Sequence, residues 1–276
     1  MGKGKGFFKR ALIKTAIIAS PVFICGVANV GNNIYKGRGL NQTIPGNHLR
    51  AGEHKVVFTE EFWNIVKKNT PEYNFKMAIN GINEAFNTLN EINSGISFKV
   101  CTNCDYFVDY GFEKVDNFTK HDILLKAYDE VIPSAHSQEL NRAGYCESIT
   151  LPVSGENVNC IISFSKDSLF KYWDDETHQI DFKNVPPKNT VAYSLTLHEA
   201  MHAMGFQHND FMDSVMYPCI NIEHNGLGVV DKKLIDAYNV RFYGSESKYK
   251  YNEALTNTKY LSTYTPEDDE AYEMWN

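Results

Sequence analysis

Apolar residues recur along this chain with two different periods, and the change from one to the other marks its elements. Over Pro71–Asn90, residues Phe75, Ala78, Ile79, Ile82, Ala85, Phe86 and Leu89 fall at steps of three and four, which predicts an amphipathic helix with one buried face. Gly81 interrupts that helix at a cost of only about 1 kcal/mol against Ala. Lys55–Thr59 before it predicts a first strand, and Ile96–Cys101 after it alternates as a strand does. A strand, a long helix and a second strand in that order fit a crossover that buries one helix face on a sheet. Asp122–Val131 predicts a further helix, and Tyr145–Val153 with Val158–Phe164 predicts a hairpin turning at Ser154-Gly155-Glu156. A second long helix is predicted from a cap at Asn189 or Thr190 to about Met204, and a last one over Asp231–Arg241, ending near Gly244.

The flanks are of another kind. The basic stretch Met1–Arg10, with Lys3, Lys5, Lys9 and Arg10, precedes the apolar run Thr15–Val30, in which Gly26 and Ala28 are spaced like a signal-peptidase site. Residues 1–30 therefore read as a signal peptide, with secretion as the consequence. The alternative is a signal anchor that holds the chain in a membrane through residues 11–30, although the run is short, follows Lys14 and contains Pro21. Both readings put everything beyond about residue 30 outside the cytosol. Gly6 stands where N-myristoylation wants Ser or Thr. Residues 31–54, rich in Gly and Asn, read as a linker, and 245–276 as a tyrosine-rich tail whose acidic run Glu267-Asp268-Asp269-Glu270 is a solvated end.

Composition narrows the class. A chain of 276 residues with 43% hydrophobic and 22% charged residues can bury one sizeable core. A net charge of −7 with a pI near 5.7 leaves no electrostatic footprint for nucleic acid. Cys25 lies in the apolar run, so Cys101, Cys104, Cys146, Cys160 and Cys219 remain, and their odd number leaves at least one thiol without an internal partner. Cys101-Thr102-Asn103-Cys104 has no second CxxC to complete a zinc ribbon and no thioredoxin-like surroundings, so one or two structural disulfides are expected. Asn41-Gln42-Thr43 and Asn117-Phe118-Thr119 are glycosylation sequons, meaningful only in a eukaryotic secretory pathway. No internal repeat, phosphate loop or GxSxG nucleophile elbow is present.

The chemistry concentrates in His198-Glu199-Ala200-Met201-His202-Ala203-Met204-Gly205-Phe206-Gln207-His208. On a helix His198 and His202 stand at i and i+4, so both imidazoles leave one face and can reach one Zn2+ at about 2.0–2.1 Å. Glu199 follows the first ligand directly, where its carboxylate can meet a water in the fourth position without binding the metal, as a general base must. Gly205 lets the chain leave the helix through a left-handed turn, and His208 can then return as third ligand. Three protein ligands leave an open site, which is catalytic rather than structural. Three His, one Glu and one Gly at these spacings arise by chance in about one chain in 10^4 of this length.

The pattern H-E-x-x-H-x-x-G-x-x-H followed by Ser214-Val215-Met216-Tyr217-Pro218 resembles the metzincin zinc peptidases, with Met216 as the Met-turn methionine. Met216-Tyr217-Pro218 is similar to the matrixins, and Gly205-Phe206-Gln207-His208 to the astacins. The astacin zinc-binding tyrosine would fall at Pro218, so that ligand is not carried over, and Val229–Tyr238 leading to Phe242-Tyr243-Gly244 is similar to the closing helix of a matrixin catalytic domain. A matrixin-like chain is the favoured reading and an astacin-like one the second.

The resemblance implies an α/β catalytic domain over 55–244: a twisted, mainly parallel sheet with one antiparallel edge strand, two long helices and a C-terminal helix. It implies one catalytic Zn2+ on His198, His202 and His208, Glu199 as general base, Met216 beneath the histidines, and Tyr217 to Ile220 walling the pocket beyond the scissile bond. A protein or peptide would lie extended along the edge strand as substrate. Asp174-Asp175-Glu176 could take Ca2+, as loops in many matrixins do, but lacks EF-hand spacing and reads as a solvated loop. Residues 31–54 contain neither the Cys nor the Asp by which matrixin and astacin zymogens usually close the zinc. The alternative from another class is a catalytically silent, zinc-stabilised binding or adhesion module.

Overall fold

The computed structural model describes residues 45–129, 143–170, 185–209, 214–217 and 226–246. The expected signal segment, the acidic tail beyond Glu246, Asp174–Glu176, Pro218 and Cys219 lie outside them. In chain order the elements are β1 Gly52–Phe58, α1 Glu60–Lys67, α2 Glu72–Ile92, β2 Ile96–Thr102, α3 Asp105–Val108, β3 Glu113–Lys114, β4 Ile123–Tyr128, β5 Gly144–Thr150, β6 Asn157–Ser165, α4 Lys166–Leu169, α5 Val191–Met204 and α6 Val229–Tyr243. Among the described residues the sheet has six strands in the order β3-β2-β1-β4-β6-β5. Every pairing is parallel except β5 with β6, which makes β5 an antiparallel edge. This is the mainly parallel α/β fold, with one antiparallel edge, that the family resemblance implied.

The strands sort their residues by alternation. Val56 and Phe58 of β1, Ile123 and Leu125 of β4, and Ile162 and Phe164 of β6 point into the main core. Val57, Cys101, Val115 and the partly buried Leu124 form a small second cluster. Helices α2 and α5 close the main core, and all seven apolar positions that defined α2 are buried. Each of its five large side chains, Phe75, Ile79, Ile82, Phe86 and Leu89, contributes about 1.5–3 kcal/mol by leaving water. At the far end of α2, Asn90 exchanges a backbone-like pair of hydrogen bonds with Phe98, accepting from its N–H (2.7 Å) and donating to its carbonyl (2.8 Å). A side chain thus occupies β2 groups that the two-residue β3 is too short to pair.

Several expectations are corrected. Asp122–Val131 holds the central strand β4 instead of a helix, because Ile123, Leu125 and Ala127 alternate and are buried between β1 and β6. Helix α1 was not foreseen, although Thr59 caps it by accepting from Phe62 N (3.1 Å) and Glu60 and Glu61 occupy its first turn. β1 starts at Gly52, inside the expected linker, and the residues before it are also bound. Leu49 is fully buried, with its N–H given to Tyr238 Oη (2.9 Å) and its carbonyl accepting from Tyr243 Oη (2.8 Å). His48 exchanges backbone hydrogen bonds with Gly155 and Asn157 and stacks on Phe242 at 4.4 Å.

No disulfide forms among the described cysteines: Cys101, Cys104, Cys146 and Cys160 are free. Cys101 Sγ is turned to the Lys99 carbonyl, whereas Cys104 Sγ lies against the Thr102 hydroxyl. Cys146 stands opposite Ile162, so Cys160 is its diagonal neighbour. Diagonal partners are about 7–8 Å apart, beyond the reach of a bridge. Burial keeps both thiols protonated, pushing Cys160 up to about 12 and Cys146 well above its ordinary value.

The hairpin forms as predicted, with Gly155 in the left-handed region at the turn. Helix α5 is capped by Thr190, which accepts from Tyr193 N at 3.1 Å, and its only described residue that is not buried is His202. At the crossing of α2 and α5, a Cβ on Gly81 would lie 2.2 Å from Thr190 Oγ1 and 3.1 Å from Tyr193 N, the two atoms of that cap. Gly81 is therefore a packing requirement rather than a mild interruption. Gly81→Ala gains about 1 kcal/mol of helix propensity but incurs about 1–3 kcal/mol of overpacking and about 1 kcal/mol from a disturbed cap. Urea denaturation is expected to show a net loss of about 1–3 kcal/mol; a stabilised variant would show that the two helices do not approach this closely.

Candidate metal centre

The site is built on the C-terminal turns of α5 and the chain that leaves them. His198 is buried, His202 half-buried and His208 exposed, so the group opens towards solvent at its third member. Their Nε2 atoms form a near-equilateral triangle: 3.1 Å from His198 to His208, and 3.2 Å from His202 to each of the other two. Tetrahedral nitrogen ligands at about 2.0–2.1 Å from Zn2+ lie about 3.3 Å apart, so the triangle fits that ion closely. Among the described residues this is the one group of three or more His, Cys, Asp or Glu side chains close enough to hold a metal.

Backbone carbonyls set the tautomers. His198 Nδ1 donates to Val215 O (2.5 Å) and His202 Nδ1 to Phe206 O (2.8 Å), which leaves both Nε2 lone pairs directed at the common point. Burial holds the His198 imidazole well below its ordinary range, the neighbouring His202 and His208 push it the same way, and the Val215 carbonyl opposes them. His202 is lowered by burial too, against the Phe206 carbonyl. Both rings are thus neutral at pH 7, the state a metal ligand needs. Lone pairs converging at this distance repel one another, and a cation at their centre removes that cost.

Gly205 makes the geometry continuous. It takes φ 108°, where side chains are disfavoured, and the turn lets Gly205 N donate to His202 O (2.9 Å) and Phe206 N to Met201 O (3.0 Å). The same reversal brings the Phe206 carbonyl back to His202. From the other side, Asn157 of β6 donates to the Ala203 carbonyl at 2.9 Å, fixing the end of the helix to the sheet.

Met216 is fully buried and belongs to the main core, and Tyr217, half-buried, donates its N–H to Ser214 O to close a turn. That turn holds one of the three histidines and the neighbour of another through its backbone: Val215 O receives His198, and Met216 O accepts from Asn209 N (3.0 Å), the residue after His208. Of the expected pocket wall from Tyr217 to Ile220, only Tyr217 is among the described residues. Glu199 is 4% exposed, on the turn of α5 that faces the start of β5, where its carboxylate lies close to Gly144.

Asp231 was missed as a site residue. It is fully buried at the start of α6, where it accepts from Ser214 Oγ (2.5 Å), Val215 N (2.9 Å) and Gly228 N (2.9 Å). One carboxylate thus ties the turn carrying Val215 and Met216 to α6, and through Val215 it orients His198. In sequence it looks like an ordinary first-turn acid. Asp231→Ala leaves one buried and two part-buried donors without this acceptor and is expected to cost about 3–5 kcal/mol of stability. Zinc affinity is expected to fall about 10–100-fold, measured against a competing chelator; unchanged affinity would show that the turn does not orient His198.

The family model of the matrixins matches residues 59–238, well over half of the 276 residues and containing every residue of the site. No match is found among curated proteins. Of the solved structures, metalloproteinase-II from Bacteroides fragilis is similar over 68% of this chain and 54% of that one, at 14% identity and a TM-score of 0.33. The chain thus spans about half that protein's length, and a likeness so distant has no bearing on the site. The three histidines, the turn behind them and the extent of the family match together establish that this chain belongs to the matrixin family of zinc-dependent peptidases.

Proposed function

We propose that this chain is a zinc-dependent endopeptidase in which His198, His202 and His208 hold one catalytic Zn2+ and Glu199 is the general base. The observation that supports it most is the combination of an open three-nitrogen site with a buried carboxylate one residue after its first ligand. A bound zinc ion supplies Lewis acidity, lowering the pKa of a water and polarising a carbonyl. Glu199 accepts a proton from the attacking water as the new C–O bond forms, and returns it to the amine as the peptide C–N bond breaks. The neutral, carbonyl-oriented rings of His198 and His202 stay fixed during that exchange, because each Nδ1 proton is held by the backbone.

The substrate is an extended peptide or protein segment added along β5. As an antiparallel edge strand, β5 offers backbone groups for strand addition, and it begins at the residue beside Glu199. Among the described residues no helix is long and apolar enough to cross a membrane. Export rests on the basic and apolar pattern of residues 1–30, as a cleaved signal peptide or as an anchor through 11–30.

Glu199→Ala is expected to keep one equivalent of zinc while peptide cleavage falls by about 10^2–10^4 in kcat/KM. A chelator should abolish wild-type cleavage and zinc restore it. The test is a diverse peptide mixture digested by wild type, Glu199→Ala and chelated protein side by side. A Glu199→Ala protein as fast as wild type would overturn the mechanism. No cleavage by zinc-loaded wild type, with unfolding on chelation, would instead favour a zinc-stabilised binding module.

A further inference from the structure

Gly144, the first residue of β5, faces the carboxylate of Glu199. A Cβ built there would lie 2.8 Å from Glu199 Oε1, 3.1 Å from Glu199 Cγ and 2.7 Å from Leu195 Cδ1. Its backbone is not in the left-handed region, so nothing in the local conformation demands glycine. What the position demands is the absence of a side chain. Two residues on, and so on the same face of the strand, Cys146 is close enough to Glu199 to feel its charge. Directly across the ladder Gly144 and Cys146 meet Phe164 and Ile162, both in the main core. The inward face of β5 at the level of Glu199 is thus made of two small residues.

The atoms that an added methyl would strike decide what glycine is for. Oε1 of Glu199 and Cδ1 of Leu195 are the far ends of flexible side chains, which can move with little disturbance to the backbone. At Gly81 the corresponding contacts are a helix cap and a backbone nitrogen. A methyl at 144 is therefore cheap for the fold, and its effect falls on where the carboxylate lies. From 2.8 Å to an ordinary 3.4 Å contact, the oxygen must retreat by about 0.6 Å. Displacements of about 1 Å at a reacting group cost about a hundredfold in rate.

We propose that Gly144 is a positioning residue for hydrolysis, bare so that the Glu199 carboxylate can lie against the start of the edge strand, between α5 and the substrate's backbone. This rests on Glu199 being the general base. It makes the strand that would bind substrate also the surface against which the base is set, so both are placed by the same stretch of backbone.

The test compares full-chain, zinc-loaded wild type, Gly144→Ala, Glu199→Asp and the double variant. Gly144→Ala is expected to bind one zinc and melt as wild type does, with kcat lowered about 10–100-fold and KM changed less than about twofold. Aspartate at 199 is one methylene shorter and withdraws from the new methyl, so in that background Gly144→Ala should cost less than about threefold. Crystal structures of wild type and Gly144→Ala should show the Glu199 carboxylate displaced by about 0.6 Å or more. Wild-type kcat in Gly144→Ala, an equal loss in both backgrounds, an undisplaced carboxylate, or loss of fold or zinc would each overturn the proposal. A wild type that cleaves nothing would instead overturn the endopeptidase function, while the crystal comparison still decides whether Gly144 sets the carboxylate.

Discussion

Three imidazole nitrogens held little more than 3 Å apart, with the lone pairs of the neutral His198 and His202 directed inward, form an arrangement that repels itself unless a cation sits between them. The rest of this fold can be understood as what keeps them there. Two rings are locked by backbone carbonyls, and those carbonyls come from segments with their own anchors. Phe206 is presented by the left-handed turn at Gly205, and Val215 by a turn that Asp231 holds from α6. Asn157 ties the same end of α5 to the sheet. The site is therefore fixed from the sheet and from the last helix together, by neutral hydrogen bonds of about 1 kcal/mol net and by the stronger, charge-assisted bond from Val215 N to Asp231.

The described residues before β1 take part in the same arrangement. The residues before β1 are held by Tyr238 and Tyr243 of α6 and by the backbone around Gly155. Asn47 of that segment donates to Asn157 Oδ1 at 2.9 Å, and its carbonyl passes so close to Gly205 that a side chain there would collide with it. Composition made 31–54 look like a linker, but in its described part, 45–54, Gly46 and Asn47 are also what can run close beneath a helix end without large side chains in the way.

The sequence was most legible where one period dominates and the environment is one-sided. Helix α2 buries one face, so its seven apolar positions could be named before the fold was known. β4 was misread because a strand buried within a parallel sheet presents a short apolar run, and Ile123-Leu124-Leu125 suits a helix as well as a strand. The absence of a disulfide among the four described cysteines was not legible for a related reason: spacing along the chain says nothing of which side of a strand a thiol occupies or how far its diagonal neighbour stands.

The three-histidine group that could hold a metal was legible in the sequence alone, because its members are local. His198, His202 and His208 lie within eleven residues, and helix period plus one glycine turn is enough to bring them together. What only the tertiary structure decided is what surrounds the three histidines and Glu199 from a distance. Asp231, Asn157 and Gly144 are 33, 41 and 54 residues from His198 along the chain, and in sequence each resembles an ordinary cap, turn or strand residue. Hydrogen bonds and steric contacts between distant segments leave no period and no spacing, so their partners become visible only when the fold has brought them within a few ångströms.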